Sequence, residues 1–196
     1  AVDATHMIRQ GLVLWLDAGN VNTLQADSGG RLKLWRDASG HDHHATVGEG
    51  FAVVGKAMNG LPVVRASGEG CLAIGHIRGG TGPLTLFIVV AGPQGAGEAW
   101  QRLAGSWSGQ GEEWVAPNWT IVRPGGEKPA AFPPQVFLKT ESAGLVLDHV
   151  TVGGSSCGAR QHFTGDIAEV LLYDRVLRFD EMAAVESYLK KKWDLP

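Results

Sequence analysis

Short apolar runs separated by turn residues recur along almost the whole chain. The first, Leu12 to Leu16, has the composition of a buried strand and is closed by a polar and glycine-containing turn. The run Leu84 to Ala91 is apolar at consecutive positions, which predicts a central strand covered on both faces. The other predicted strands are 32–35, 51–54, 61–66, 71–74, 119–123, 135–139, 145–152 and 163–173. About ten strands with no helix between them indicate a β-sandwich and not a parallel α/β sheet.

The one helical pattern lies at the C-terminus. Val185, Leu189 and Trp193 recur at helical spacing, so this segment predicts an amphipathic helix. Lys190 to Lys192 stand in its last turns, where cations complement the helix dipole. Asp180 is the predicted N-cap.

The final predicted strand is apolar on both faces and therefore needs cover on each side. The C-terminal helix is the nearest cover for its outer face. We expect one alternating set of side chains to face the sandwich core and the other to face the helix. The two sets are Ile167, Leu171 and Tyr173, and Ala168, Val170 and Leu172.

Size and charge limit the classes of protein. A chain of 196 residues, 44% hydrophobic and 19% charged, suits one domain with one core, and we predict that domain over residues 8–196, with residues 1–7 a tag or leader. The net charge is −3, and basic residues cluster only at Lys190 to Lys192, so the sequence predicts no basic surface patch for binding nucleic acid. No apolar run reaches the roughly 20 residues that a membrane span requires.

Two cysteines, Cys71 and Cys157, lie far apart in the sequence. In an oxidising compartment they could join two strands by a disulfide, whereas the alternative is two buried thiols that pack as small apolar side chains. Neither alternative is favoured by the sequence. Neither cysteine lies in a Cys-x-x-Cys spacing, so a zinc site built on thiolates is not expected.

Five segments in order, which frame nearly the whole chain, resemble the laminin G-like, concanavalin A-like modules of large bacterial extracellular proteins. They are 12–18 (LVLWLDA), 34–46 (LWRDASGHDHHAT), 59–65 (NGLPVVR), 165–175 (GDIAEVLLYDR) and 188–193 (YLKKKW). The resemblance implies an all-β fold, a two-sheet antiparallel jelly-roll β-sandwich with a C-terminal α-helix, secreted to the extracellular space or periplasm. It implies carbohydrate binding or adhesion, and in some members a structural calcium. Function on such a fold depends on the concave face and the rim loops.

The predicted ligand surface lies in the stretch between 94 and 135, where the resemblance has no match. Four tryptophans crowd into its Gly-, Ser-, Gln- and Pro-rich part, namely Trp100, Trp107, Trp114 and Trp119. Exposed aromatic rings stack on the apolar face of a pyranose. Arg102, on the same side of an extended strand as Trp100, could add a planar donor. The alternative, that two or three of these tryptophans pack internally, stays open.

The remaining tryptophans belong to the segments that carry the resemblance. We therefore expect Trp15, Trp35 and Trp193 in the core. On the predicted central strand, Leu86, Ile88 and Val90 should share one packed face. Finding both Trp15 and Trp35 exposed would contradict the sandwich topology.

Catalytic motifs are missing from the sequence. Retaining glycoside hydrolysis requires two carboxyl groups about 5 Å apart. Asp166 and Glu169, the best local pair, are an odd number of positions apart and would point to opposite faces of a regular strand. Glu112 and Glu113 are adjacent and fail for the same reason. There is no Gly-x-Ser-x-Gly elbow and no His-Glu-x-x-His.

We therefore predict that the chain is not an enzyme. The predicted function is a non-catalytic, lectin-like module that binds a polysaccharide or a glycoprotein glycan within a larger secreted protein. The alternative is a protein-interaction, adhesion or spacer domain that contacts other domains of a parent protein without binding glycan. A glycoside hydrolase is the weakest alternative.

Two clusters of potential metal ligands remain, and the sequence leaves the metal-binding residues unknown. The run 41–44 (HDHH) offers imidazole and carboxylate groups for a transition metal, although it could also be a solvated loop in which His44 is structural. Glu169 is expected opposite Asp17, and the resemblance places a calcium-binding carboxylate of related sandwiches near here. The alternative is a buried glutamate that is bonded to backbone or paired with an arginine such as Arg65.

Overall fold

The computed structural model describes residues 7–92, 102–106, 133–154, 157 and 162–196. Within them the chain forms twelve strands and one C-terminal helix. The strands are β1 (Leu12–Asp17), β2 (Leu24–Ala26), β3 (Leu32–Trp35), β4 (Ala45–Val47), β5 (Phe51–Met58), β6 (Leu61–Ser67), β7 (Leu72–Gly75), β8 (Arg78–Ala91), β9 (Ala104–Gly105), β10 (Gln135–Leu147), β11 (Val150–Val152) and β12 (Thr164–Tyr173). The helix α1 covers Phe179–Trp193, and a 3-10 turn covers Val21–Thr23.

The strands form two antiparallel sheets, which confirms the predicted all-β sandwich with a C-terminal helix. One sheet has the order β10-β8-β12-β6-β5, with β1 paired to the second half of β12. The other has the order β2-β3-β4-β7-β11-β9. Three strands, β2, β4 and β9, were missed because they contain only two or three residues each and show no apolar run. The strand predicted at 119–123 lies outside the described residues.

The hydrophobic core lies between the two sheets. Ile88 and Val90 are buried there, Leu86 is partly buried against them, and Trp35 is fully buried. The prediction of one packed face on the central strand β8 is confirmed. Because alternate residues of a strand face opposite sides, Phe87 and its neighbours belong to a second apolar cluster on the outer face of the same sheet.

This second cluster lies beneath α1. It contains Trp15 and Trp193, which are 6% and 1% exposed, so these two predicted core tryptophans are buried like Trp35, although on the helix side of the sheet. Met7, at the end of the predicted leader, is also buried in this cluster. The helix therefore covers the outer face of the first sheet, as its apolar stripe predicts.

A β-bulge in β12 changes the predicted assignment of its side chains. The pairing with β8 shifts between Ile167 and Glu169, so Ala168 is an extra residue opposite β8. The core-facing set is Ile167, Val170 and Leu172, and the helix-facing set is Ala168, Leu171 and Tyr173. The two predicted sets were wrong, because the bulge shifts the alternation by one residue part-way along the strand.

The N-terminus of α1 also differs from the prediction. The N-cap is Arg178 and not Asp180. The carboxylate of Glu181 accepts the Arg178 backbone N–H at 2.8 Å and two hydrogen bonds from the Arg175 guanidinium at 2.7 and 2.8 Å. Asp180 instead forms an ion pair with the Arg178 side chain. The helix begins earlier than predicted because the capping carboxylate comes from its third residue.

The two cysteines form a disulfide between Cys71, just before β7, and Cys157, after β11. The alternative of two free buried thiols is therefore excluded. Within the described part of the chain, α1 is too short and too polar to cross a bilayer.

Candidate functional site

Most of the predicted ligand surface lies outside the described residues. This applies to Trp100, Trp107, Trp114 and Trp119. Arg102 is described: it is half-buried, and its backbone forms a parallel bridge with His162 beside β9. A ligand-binding role for these residues stays a prediction.

A groove of about 480 Å³ lies where the chain crosses from one sheet to the other, between β4 and β5. We call it the corner groove. It is lined by Gly29, Arg31, Glu49, Gly50, Phe51, Ala52, Arg65, Ser67 and Glu69. Its volume falls in the range of about 300–1,000 Å³ that is typical of small-molecule sites.

The floor of the corner groove is made of the smallest side chains on one face of β5. Phe51 is buried in the core, so its neighbours Gly50 and Ala52 face outward. Ala52 pairs with Arg31 on one side and with Arg65 of β6 on the other. Cross-strand neighbours have Cβ atoms about 5 Å apart. Two arginine side chains therefore flank an alanine, and the difference in side-chain length creates the groove.

Arg65 is fixed by a bidentate ion pair with Asp166. Its Nε donates to Oδ1 at 2.7 Å and its Nη2 donates to Oδ2 at 2.9 Å. The two residues are direct cross-strand neighbours of β6 and β12. The hydrogen bond with Asp166 raises the pKa of the Arg65 guanidinium. This geometry leaves Nη1 available for a ligand, and two bonds restrict the guanidinium more than one would.

One rim of the groove is formed by two turns in close contact. The backbone N–H of Ser67 donates to the carbonyl of Gly50 at 2.8 Å. Gly50 has φ +85°, and a Cβ there would lie 2.7 Å from the Ser67 hydroxyl oxygen. A Cβ on Gly70 would lie 2.7 Å from the Glu49 carbonyl oxygen. These contacts hold the backbones that carry Glu49 and Glu69 together and leave no room for side chains between them.

The opposite rim is a tight turn between β2 and β3. Asp27 Oδ1 accepts the backbone N–H groups of Gly29 and Arg31, both at 3.0 Å. The hydrogen bond from Arg31 lowers the pKa of the Asp27 carboxyl. The Gly30 carbonyl accepts the Val53 N–H at 2.9 Å, which ties this turn to β5. Both rims are therefore fixed to the sheet by backbone hydrogen bonds before a ligand arrives.

A second polar cluster is buried beneath α1 and is centred on Glu169. The indole N–H groups of Trp15 and Trp193 each donate to its carboxylate at 2.6 Å. The Lys192 ammonium donates to Glu169 at 2.8 Å and to Asp17 at 2.6 Å. Burial raises the pKa of Glu169, and the nearby Asp17 carboxylate acts in the same direction, whereas Lys192 opposes both.

These contacts fully match neither expectation for Glu169, although the residue is buried, as the alternative predicts. Calcium requires six to eight oxygen ligands, but the carboxylates of Asp17 and Glu169 are bound by an ammonium and by indole N–H groups. The residues at this point therefore do not fit a calcium ion, and a calcium elsewhere in the chain stays a prediction. Arg65 pairs with Asp166, so the predicted alternative partner of Glu169 was also wrong.

The bulge corrects a second expectation about carboxylates. Asp166 and Glu169 lie on the same outer face of β12, because Ala168 adds one residue between them. Asp166 lies at the corner groove in its ion pair with Arg65, whereas Glu169 is 1% exposed beneath the helix. The odd spacing did not place them on opposite faces.

The histidine loop makes contacts with its own scaffold. His43 Nδ1 donates to the Val13 carbonyl at 2.6 Å, since a carbonyl can only accept. His44 Nδ1 accepts the Asp37 backbone N–H at 3.1 Å. The rings of His41 and His43 are stacked with centroids 5.9 Å apart. Among the described residues, no group of three or more His, Cys, Asp or Glu side chains has the arrangement of a metal site.

No protein-family model and no curated protein sequence matches the chain. Solved structures do match. The Trypanosoma rangeli sialidase in complex with 2,3-difluorosialic acid matches with a TM-score of 0.60 and 16% identity over 92% of this chain and 33% of the sialidase. A mutant of that sialidase displaying trans-sialidase activity matches with a TM-score of 0.51 and 14% identity over 100% of this chain and 35% of the mutant.

A third match has the extent of a single domain. Domain 4 of AbnA, a GH43 extracellular arabinanase from Geobacillus stearothermophilus, in complex with arabinotriose, matches with a TM-score of 0.51 and 14% identity. The match covers 90% of this chain and 98% of that domain. The chain thus shares its fold with carbohydrate-active proteins, and it spans about a third of the length of the sialidases.

The prediction that the chain is not an enzyme is contradicted by this comparison, because several of the matched structures are sialidases. The prediction relied on missing local motifs and on a strand without a bulge. Missing motifs do not exclude catalysis, because this chain matches only a third of the length of the sialidases, and the strand does contain a bulge.

Proposed function

We propose that this chain is a glycan-binding β-sandwich domain of a larger secreted, carbohydrate-active protein. The observation that carries the proposal is the match to the arabinanase domain, which covers 98% of a domain whose structure contains arabinotriose. The disulfide between Cys71 and Cys157 supports a secreted location, since disulfides persist in oxidising compartments. The resemblance to laminin G-like modules points to the same class of domain.

The corner groove is the described site whose chemistry suits a sugar. Its lining combines guanidinium donors, carboxylate acceptors and the hydroxyl of Ser67. Sugar hydroxyl groups both donate and accept, so such a mixture can bind them, and bonds to charged groups are the stronger ones. The fixed rims reduce the entropy that binding would otherwise cost. The segment from Trp100 to Trp119 is the second proposed contact surface, where stacking would add affinity.

The test of the proposal is a glycan array followed by calorimetric titration, beginning with arabinotriose and other neutral oligosaccharides. In the variant Ala52→Leu, a larger side chain occupies the floor of the groove without changing its charge. We expect its affinity to fall about tenfold or more, which corresponds to about 1.4 kcal/mol. The melting temperature should change little, because Ala52 faces the groove and not the core.

Ala57→Leu is the matched control, since Ala57 is an exposed alanine at the other end of the same strand β5. It should bind as the parent does. Trp107→Ala and Trp114→Ala test the second surface, where loss of a stacked ring should cost about 1–3 kcal/mol of binding free energy. A chain that binds no glycan would contradict the proposal and leave the protein-interaction or spacer alternative.

A further inference from the structure

The charged groups of the corner groove are unequally paired. Arg65 is neutralised by Asp166, whereas none of the described residues forms an ion pair with Arg31, Glu49 or Glu69. Glu69 accepts a hydrogen bond from the Ser67 hydroxyl at 3.1 Å, which leaves its charge uncompensated. The groove and the aspartate behind Arg65 therefore hold three carboxylates against two guanidinium groups.

The two uncompensated carboxylates belong to the same rim. Glu49 and Glu69 are carried by the two turns whose backbones meet at Gly70, and these turns cannot separate without losing the hydrogen bond from Ser67 to Gly50. An acidic ligand in the groove would lie beside both of them. Arg31 on the opposite rim could compensate only part of this repulsion, because Arg65 is already committed to Asp166.

We propose that the corner groove selects uncharged glycans and disfavours acidic ones, an inference that rests on the proposed glycan-binding function. Neutral hydroxyl groups donate to Glu49 and Glu69 and accept from Arg31 and from Nη1 of Arg65. A ligand carboxylate can only accept, so it satisfies the arginine side of the groove and leaves the glutamate side facing a like charge. The ligand class is thus set by the charge of one rim.

The experiment compares matched pairs of probes that differ in charge. Galactotriose is titrated against trigalacturonic acid, and the methyl ester of sialyllactose against sialyllactose itself, at pH 7 and low salt. Because the groove is open to solvent, we expect a preference of about three- to tenfold for the neutral member of a pair. The preference should shrink at high salt, since screening weakens repulsion between exposed charges.

The double variant Glu49→Gln/Glu69→Gln removes the rim charge and keeps hydrogen-bonding amides. It should bind trigalacturonic acid more tightly than the parent does, because the like charge is gone. It should bind galactotriose more weakly, because amide oxygens accept weaker hydrogen bonds than carboxylates do, so the preference for the neutral probe should be lost. Glu186→Gln is the control, because Glu186 is paired with Lys190 on α1 and does not line the groove; it should change neither affinity.

The outcomes separate this inference from the proposed function. Both the inference and the proposed function are supported if the neutral probes bind Ala52→Leu less tightly than the parent, and if the parent binds the acidic probes less tightly than the neutral ones. Equal or tighter binding of the acidic probes overturns the inference alone and leaves glycan binding intact. Neutral binding that is indifferent to Ala52→Leu also overturns the inference, because the ligand then binds elsewhere. Binding of no probe overturns the proposed function together with the inference.

Discussion

Replacing Lys192 by methionine should destabilise the fold severely. The Lys192 ammonium lies 2.6 Å from an Asp17 oxygen and 2.8 Å from a Glu169 oxygen, and its side chain is only 9% exposed. Methionine keeps most of the apolar stem but leaves two buried carboxylates that repel each other. Removing one partner of a buried ion pair typically costs about 3–5 kcal/mol. The free energy of unfolding should fall by that amount, and the melting temperature by about 10 °C.

Urea unfolding followed by tryptophan fluorescence measures this loss, because Trp15 and Trp193 donate to the same Glu169 carboxylate. Lys191→Met is the matched control, since Lys191 is the exposed neighbour in the same turn, and it should change stability by less than about 0.5 kcal/mol. Adding Asp17→Asn to the Lys192→Met variant should recover part of the loss by removing one unpaired charge, because the amide oxygen of Asn can still accept the Gly19 N–H. A Lys192→Met protein as stable as the parent would refute the reasoning.

Two further predictions concern pH and redox state. Hydrogen bonds from Arg175 hold the pKa of Glu181 at about 2, below its ordinary value of 4.5, so its contribution to stability is present above that ordinary value and is lost as the pH falls toward the folded pKa. Glu181→Gln should therefore flatten the acid limb of a melting-temperature profile, and an unchanged profile would contradict the ion pair. The Cys71–Cys157 disulfide closes a loop with a sequence separation of 86, so the double variant Cys71→Ala/Cys157→Ala should lose about 2–5 kcal/mol of stability. An identical urea midpoint with and without the disulfide would argue against that bond.

The sequence predicts the sandwich well because its strongest signals are local. Consecutive apolar residues from Leu84 to Ala91 can be buried on both faces only if each side of the strand is covered, and the sheet core and the helix provide that cover. Helical spacing at Val185, Leu189 and Trp193 likewise requires a partner surface. Each of these patterns lies within a single segment, so it can be recognised without knowing which strands pair.

Features that depend on contacts between segments, such as strand pairing, could not be predicted from local patterns. The bulge at Ala168 lies in a strand that is apolar on both faces, so no break in alternation marks it. The N-cap of α1 was misplaced because Glu181 caps the helix from its third position, and Asp180 is the more common capping residue type.

The corner groove could not be predicted from a motif. Its floor and walls combine Ala52, Arg31 and Arg65, which become neighbours only through strand pairing. Small residues such as Ala52 carry no chemical signal of their own. A tryptophan outside the core suggests a ligand-stacking site from the sequence alone. This groove depends instead on short side chains and on close glycine contacts, such as that of Gly50, which have no comparable sequence signal.

The measurement that tests the glycan-binding proposal most directly is an NMR titration of the isotope-labelled chain with the neutral oligosaccharide that binds best on the array. Backbone amide signals of Gly29, Gly50 and Ala52 and the Nε–H signal of Arg65 should shift in a saturable way, because these groups line the corner groove. Shifts confined to indole N–H signals of the 100–119 segment would place the site on the tryptophan surface instead. A spectrum unchanged at millimolar glycan would contradict glycan binding by this domain.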